Sequence, residues 1–433
     1  MSASKSILRM SAVLALVSLL TLSTAAQGAK YEFGEDSSRQ EGVPEGTVTR
    51  HTWDGSKVYP DTEHEYWVYV PAQYKEGEPA CVMVFQDGGG YVSEEGSVRA
   101  PIVFDNLIHK GEMPVTIGIF INPGKKEDAY DQREVQYVTI SDRYARFLLE
   151  EMIPLVGKDY TLTEDRTGRA ICGMSDGGVC SFTVGWERPD AFSKVVSHIG
   201  SYTRLGKGAE YPLRIRETRG DPKPIRVFLQ DGENDMNSTL GSWMLSNVDM
   251  AAALKFARYD SRLEMGTGWH DLNHGGAIFP DTMRWIWRDY PGVKGADAPP
   301  DLDAVIGEWE VVATYWQNVM KSTLTISEKD GALVAELVND KGEALHVSKV
   351  SFEDNYLIYD YGTNRPKSKG KDPKAEDATE EDVKEWVDPS GMRVWVKVDG
   401  DGFEGALASR EKSDFEIDYP VIGRRKGAGS GTK

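Results

Sequence analysis

The sequence predicts an α/β domain built on a mostly parallel, doubly wound sheet, followed by a small antiparallel β barrel or sandwich. Three observations carry that prediction. Between residues 30 and 295 short β-type runs alternate with helical ones, the pattern of a parallel sheet covered by helices. Around residues 295–303, Pro299 and Pro300 among small and acidic residues interrupt the alternation. Beyond them the period becomes two. Val394, Val396 and Val398 alternate with Trp395 and Lys397, and the turn pairs Asp330-Gly331, Asp399-Gly400 and Asp401-Gly402 separate such runs.

A length of 433 residues suits two folded units plus short appendages. The expected division is a leader over 1–29, a first domain over 30–295, a linker over 296–302, a β-rich domain over 303–426 and a tail over 427–433. Within the first domain, strands are expected over 66–70, 81–85, 116–121, 169–172, 194–199, 225–230 and 262–265. Helices are expected over 141–156, where Tyr144, Phe147, Leu148 and Met152 share one face, and over 246–259 and 281–289. The charged run 363–384, with Pro366 and Pro373, reads as a solvated loop.

Charge narrows the partners. With 69 acidic against 50 basic residues, a net charge of −19 repels phosphate backbones and anionic headgroups, which argues against nucleic acid and acidic membranes. At the N-terminus, Lys5 and Arg9 precede an apolar run over 11–22, and small residues follow at Thr24, Ala25, Ala26, Gly28 and Ala29. That is the form of a secretory signal peptide, and its apolar run is too short to span a bilayer comfortably. Export to a periplasm or to the outside is expected, with no stable membrane insertion after cleavage. The three cysteines, Cys81, Cys172 and Cys180, lie in or beside apolar runs without Cys-x-x-Cys spacing, and are expected to be buried small hydrophobes.

The chemistry-bearing segment begins Arg169-Ala170-Ile171-Cys172-Gly173-Met174-Ser175-Asp176-Gly177-Gly178-Val179. A β-type run enters Gly-x-Ser-x-Gly and a helix follows, the setting of a nucleophile elbow in which glycines leave room for a sharp turn. In a chain with 44 glycines the pentapeptide alone is weak, so the flanking strand and helix matter. A serine hydroxyl also needs a base oriented by a third group. Downstream, the strand over 225–230 runs into Asp231-Gly232-Glu233-Asn234-Asp235, and the strand over 262–265 is followed by a loop holding His270 and His274. Serine, acid and base thus come in the order this elbow geometry uses, each acid and base on a loop after a strand. His51, His64, His109 and His346 fall outside the arrangement, and His198 follows the strand after the elbow.

Acyl transfer also needs donors for an oxyanion. The N–H of Asp176, one residue past the serine, is the first candidate, and Gly88 or Gly89, in the cluster Gln86-Asp87-Gly88-Gly89-Gly90-Tyr91 after an early strand, is the second. The cluster lacks phosphate-loop spacing, and no His-Glu-x-x-His occurs. No metal or cofactor is expected.

Over about 31–291 the sequence resembles the esterase D and enterochelin-esterase-like α/β-hydrolases, a group that includes feruloyl and acetylxylan esterases. The resemblance rests on Val84-Phe85-Gln86-Asp87-Gly88, Arg133-Glu134-Val135-Gln136-Tyr137, Gly173-Met174-Ser175-Asp176-Gly177-Gly178, Asp231-Gly232-Glu233-Asn234-Asp235 and the loop from His270 to Gly276. It implies Ser175 as nucleophile, Asp235 as acid and His270 as base. Tyr91, Trp269 and His274 are the further pocket candidates. Trp269 stands where the family commonly has glycine, so its ring either lines the acyl pocket or packs as core. The C-terminal domain has a slighter likeness to small lipocalin-type β domains. The function implied is that of an exported serine esterase on a small-molecule or polysaccharide-linked ester. Aryl esters on xylan, acetyl sugars, siderophore esters and lactones are all open as substrates. The alternatives are an acyltransferase to a sugar hydroxyl and a non-catalytic carbohydrate-binding protein on a hydrolase scaffold.

Overall fold

The computed structural model describes residues 31–127, 132–204, 207–219, 221–296, 301–315, 317–353, 356–362, 391–409 and 417–427. The expected leader, residues 297–300 of the linker, the charged run 363–384 and the tail beyond Gly427 lie outside the described residues. The chain divides into two compact units, Met1–Asp297 and Ala298–Lys433.

The first unit is built on an eight-stranded sheet. Its strands are β1 (Thr47–Trp53), β2 (His64–Val70), β3 (Cys81–Gln86), β4 (Thr116–Ile121), β5 (Arg169–Met174), β6 (Lys194–His198), β7 (Arg226–Gly232) and, after a two-residue hairpin of β8 (Asn237–Ser238) and β9 (Gly241–Ser242), β10 (Asp260–Gly266). The order is β1-β2-β4-β3-β5-β6-β7-β10. β1, β2 and β4 pair antiparallel, and every pairing from β4 to β10 is parallel.

Side-chain alternation splits the core into two layers. Val82, Val84, Ile119, Ile171 and Val227 pack on one face beneath α2 (Asp176–Glu187) and α3 (Trp243–Phe256), with Val179, Phe182, Met250 and Leu254. Met83, Phe85, Cys172, Val196 and Phe228 pack on the other beneath α1 (Ala100–Lys110) and α5 (Phe279–Trp287), with Phe104, Leu107, Met283 and Trp287. All three cysteines are buried and unpaired. Because both faces are covered, β3 and β4 read as continuous apolar runs and were legible as strands.

β1 was not expected. Its sequence TVTRHTW is exposed along nearly all its length, so no buried face imprints a pattern on it. α3 begins three residues earlier than expected, because the Ser242 side chain accepts the Leu245 N–H and caps the helix there. The helix expected over 141–156 is helical from Arg143, but passes through a π-helical stretch at Phe147–Met152 just before Pro154, which has no N–H to offer the ladder. Among the described residues no helix is long and apolar enough to cross a membrane.

The second unit, by itself, is a closed antiparallel barrel of eight strands among the described residues, from Gly307–Tyr315 to Tyr419–Arg425. Val394, Val396 and Val398 point inward with Trp309, Leu324, Leu357 and Leu407. Asp330 and Gly331 both have positive φ (54° and 78°), as a tight two-residue hairpin turn requires.

Candidate active site

The parallel strands deliver the candidate residues at their carboxyl ends. β5 stops at Met174, and Ser175 turns into α2 with φ 57° and ψ −120°, a backbone conformation that L-residues hold only when their surroundings enforce it. Two hydrogen bonds do so: Ser175 N–H donates to the His198 carbonyl at 2.9 Å, and Ser201 N–H donates to the Ser175 carbonyl at 3.1 Å. Gly173 is required by close approach, since a Cβ there would stand 2.3 Å from the Gly177 carbonyl oxygen. Asp176 is the first residue of α2, so its N–H has no acceptor within the helix.

His270 joins the serine to an acid. Its Nε2 lies 3.0 Å from Ser175 Oγ, and its Nδ1 lies 2.7 Å from Asp235 Oδ1. Asp235 follows β7 in a turn closed by its own N–H to the Gly232 carbonyl at 3.0 Å, and His270 sits on the loop after β10. The edge of Trp243 packs against the His270 ring, centroids 6.0 Å apart. Burial works against an ionised Asp235, but hydrogen bonds from His270, Asp231 and the Met236 N–H outweigh it and hold its carboxyl below the usual range.

The other acid and base candidates are elsewhere. Asp231 is buried beside Asp235 and does not touch His270. His274 is buried in the short helix α4 (Asn273–Ala277), stacked on Tyr31 with ring centroids 4.6 Å apart and with Nδ1 3.1 Å from Gln230 Nε2. Its ring is engaged by Tyr31 and Gln230 and not by Ser175.

Three further expectations need correction. The N–H of Gly88 donates to the Ile121 carbonyl and that of Gly89 to Asn122 Oδ1, each at 3.0 Å, so neither is free to meet an oxyanion. Gly88 is glycine for a different reason, because a Cβ would fall 2.4 Å from the Ile121 nitrogen. Tyr91 is fully buried with its hydroxyl 3.0 Å from His198 Nδ1, so it is core and not pocket wall. Trp269, by contrast, is 63% exposed, which rules out core packing and leaves its ring at the surface, one residue before His270 in the chain.

Residues 58–273 match the family model described as Esterase, a span that contains Ser175, Asp235 and His270. Through this segment the chain belongs to the Esterase family. Among curated proteins, the chain is 25% identical over 199 residues to an endo-1,4-beta-xylanase/feruloyl esterase of Xylanibacter ruminicola, an alignment covering 45% of this chain and only 26% of that one. Among solved structures it is similar to a CE1 ferulic acid esterase of Anaeromyces mucronatus, with a TM-score of 0.48, 20% identity and coverage of 62% and 98% of the two chains. The enterobactin esterase of Shigella flexneri gives a TM-score of 0.46, 18% identity and coverage of 57% and 60%.

The first unit also holds residues around the candidate site that sequence reasoning missed. Arg133 grips Asp87 with two hydrogen bonds (2.9 and 2.8 Å) and reaches Asp176 Oδ2 (3.0 Å) and the Met174 carbonyl (3.3 Å), tying the loop after β3 to the turn at Ser175. Ser201 Oγ lies 3.1 Å from Ser175 Oγ and 3.0 Å from the Trp243 indole nitrogen. The one signal for Ser201 was its position just past the strand after the elbow. Ile199, two residues earlier, is forced to φ 44°, an outlier for a β-branched residue, where this loop comes against Ser175.

Proposed function

We propose that this chain is an exported serine esterase that cleaves carboxylic esters through an acyl-enzyme on Ser175. The single observation that carries the reading is the imidazole of His270 within hydrogen-bond reach of both Ser175 Oγ and Asp235 Oδ1. His270 Nε2 takes the proton of Ser175 as the hydroxyl attacks the ester carbonyl, and Asp235 fixes the tautomer with the Nδ1 proton and stabilises the imidazolium that forms. The same imidazolium protonates the departing alcohol. Water then enters, loses its proton to His270, and releases the acid with Ser175 Oγ–H restored. The Asp176 N–H is the donor for the tetrahedral oxyanion, a contribution of about 3 kcal/mol for one such donor.

On the substrate side, the exposed indole of Trp269 beside His270 gives an aromatic or sugar ring a surface to stack on, which favours aryl esters attached to carbohydrate. The curated relative named for xylanase and feruloyl esterase activity agrees with that choice. Export rests on the leader pattern of residues 1–29.

The test is hydrolysis of 4-nitrophenyl acetate, methyl ferulate and a feruloylated arabino-oligosaccharide, with mass spectrometry of the protein quenched during turnover. Free acid as product and an acyl adduct on the protein support the reading. Turnover without any adduct, or acyl transfer to a sugar acceptor in preference to water, would overturn it.

A further inference from the structure

Asp231 and Asp235 place two carboxyl groups side by side in the interior. Asp231 is fully buried and the Asp235 side chain has no exposed surface. Their four oxygens can be accounted for one by one. Asp235 Oδ1 faces His270 Nδ1 and the Met236 N–H. Asp231 Oδ1 accepts the Gly232 N–H at 2.7 Å, and Asp231 Oδ2 accepts Asn247 Nδ2 at 2.7 Å. Asp235 Oδ2 is buried and meets no N–H or hydroxyl donor, while the carboxyl of Asp231 lies within hydrogen-bonding reach of the Asp235 carboxyl.

From this count we infer that Asp231 is a positioning residue that remains protonated at neutral pH and donates its carboxyl proton to Asp235. A buried acceptor without a donor is costly, and the one proton that can supply it is a proton on Asp231. Two ionised carboxylates in contact, away from water, would also repel strongly unless a cation stood between them. None does: among the described residues neither carboxyl has a Lys or Arg partner. Asn247, from α3, is neutral, and from α4 the His274 ring meets the backbone of Asp231 and not its carboxyl. Of the two carboxyls, His270 meets that of Asp235 and not that of Asp231. Burial, and then the neighbouring Asp235, push the Asp231 carboxyl well up, which agrees with the proton count.

The consequence falls on the base. A neutral donor on Oδ2 stops the Asp235 carboxylate from rotating and keeps Oδ1 on the imidazole, while adding no second negative charge behind His270. Asn247 holds Asp231 in turn, and its own orientation is fixed by the Gly200 and Trp243 carbonyls, to which its Nδ2 also points at 2.9 and 3.1 Å.

The inference rests on the triad proposed above, so the experiment separates the two. In the full chain, D231N, D231A and S175A are compared with the parent for kcat on 4-nitrophenyl acetate at pH 7. The infrared carbonyl band of a protonated carboxyl is measured at the same pH without substrate. The expected result is a band in the parent that D231N lacks, a loss of about ten- to a hundredfold in kcat for D231A with KM little changed, and recovery to within a few-fold of the parent in D231N, whose amide supplies a neutral donor. Absence of the band, or D231N falling as far as D231A, overturns the inference while leaving the triad intact if S175A is inactive. Full turnover by S175A overturns the triad and the positioning role together. Should D231A fail to fold, the band and D231N still decide.

Discussion

The hydroxyl of Ser201 stands 3.1 Å from that of Ser175. Its oxygen also lies 3.0 Å from the indole nitrogen of Trp243, a group that can only donate. With Trp243 donating to Ser201 and Ser175 donating to His270, the Ser201 proton is left to point at Ser175 Oγ. S201A should therefore lower kcat by about fivefold, the worth of one hydrogen bond of about 1 kcal/mol, with little change in KM. W243F should give a smaller loss on the same assay. Unchanged kcat in both variants would contradict this hydrogen-bond order.

The elbow glycines should differ in sensitivity. In G173A the new methyl would meet the Gly177 backbone at 2.3 Å, and backbone cannot step aside without undoing the turn. In G177A it would meet Asp87 Oδ2 at 2.8 Å, the far end of a side chain, though one held by Arg133. G173A is expected to lose activity and about 3 kcal/mol or more of stability, and G177A about 1–2 kcal/mol, checked by urea unfolding with kcat on a small ester.

Much of the site was legible because it is written in short segments. Ser175, the acid segment and the histidine loop each follow a strand whose apolar run announces it, so chain order alone narrowed the choice to two acids and two bases. The selection of Asp235 over Asp231 and His270 over His274 came from the family likeness, since in the sequence the members of each pair stand only four residues apart. What stayed hidden depends on long-range contact. Gly88 and Gly89 looked like free amides, yet their donors are taken by Ile121 and Asn122, over 30 residues away. Ser201, Trp243 and Arg133 gain their roles only when the end of β6, α3 and the short helix Gln132–Tyr137 converge on the elbow. The edge strand β1 was invisible for the opposite reason, having no buried face to pattern it.

Acid should destabilise the first unit through buried histidines. Burial pushes His64 down to about 4 and His198 down to about 3, whereas unfolded histidine titrates near 6.5. Below pH 6.5 the unfolded chain binds protons that the folded chain refuses, so this stability is complete above about 6.5 and is lost as pH falls toward 4. Each histidine contributes a slope of up to about 1.4 kcal/mol per pH unit. Urea unfolding at pH 7, 6 and 5 should show a shallower acid loss in H64Q than in the parent, and identical slopes would contradict the burial argument.

The two compact units should be separable. A chain ending at Asp297 retains the whole eight-stranded sheet and both core layers of the first unit, together with Ser175, Asp235 and His270. It is expected to unfold cooperatively and to cleave 4-nitrophenyl acetate with kcat within about threefold of the full chain. An insoluble or inactive product would mean that the barrel completes the fold or the site.

The most direct test of the proposed serine chemistry is labelling with a fluorophosphonate probe followed by peptide mapping. A serine activated by His270 should take one phosphonyl group, on the peptide carrying Ser175, at a rate that falls by about a thousandfold or more in H270A and to nothing in S175A. Folded protein that takes no label, or takes it equally well in S175A, would contradict the assignment of Ser175 as nucleophile.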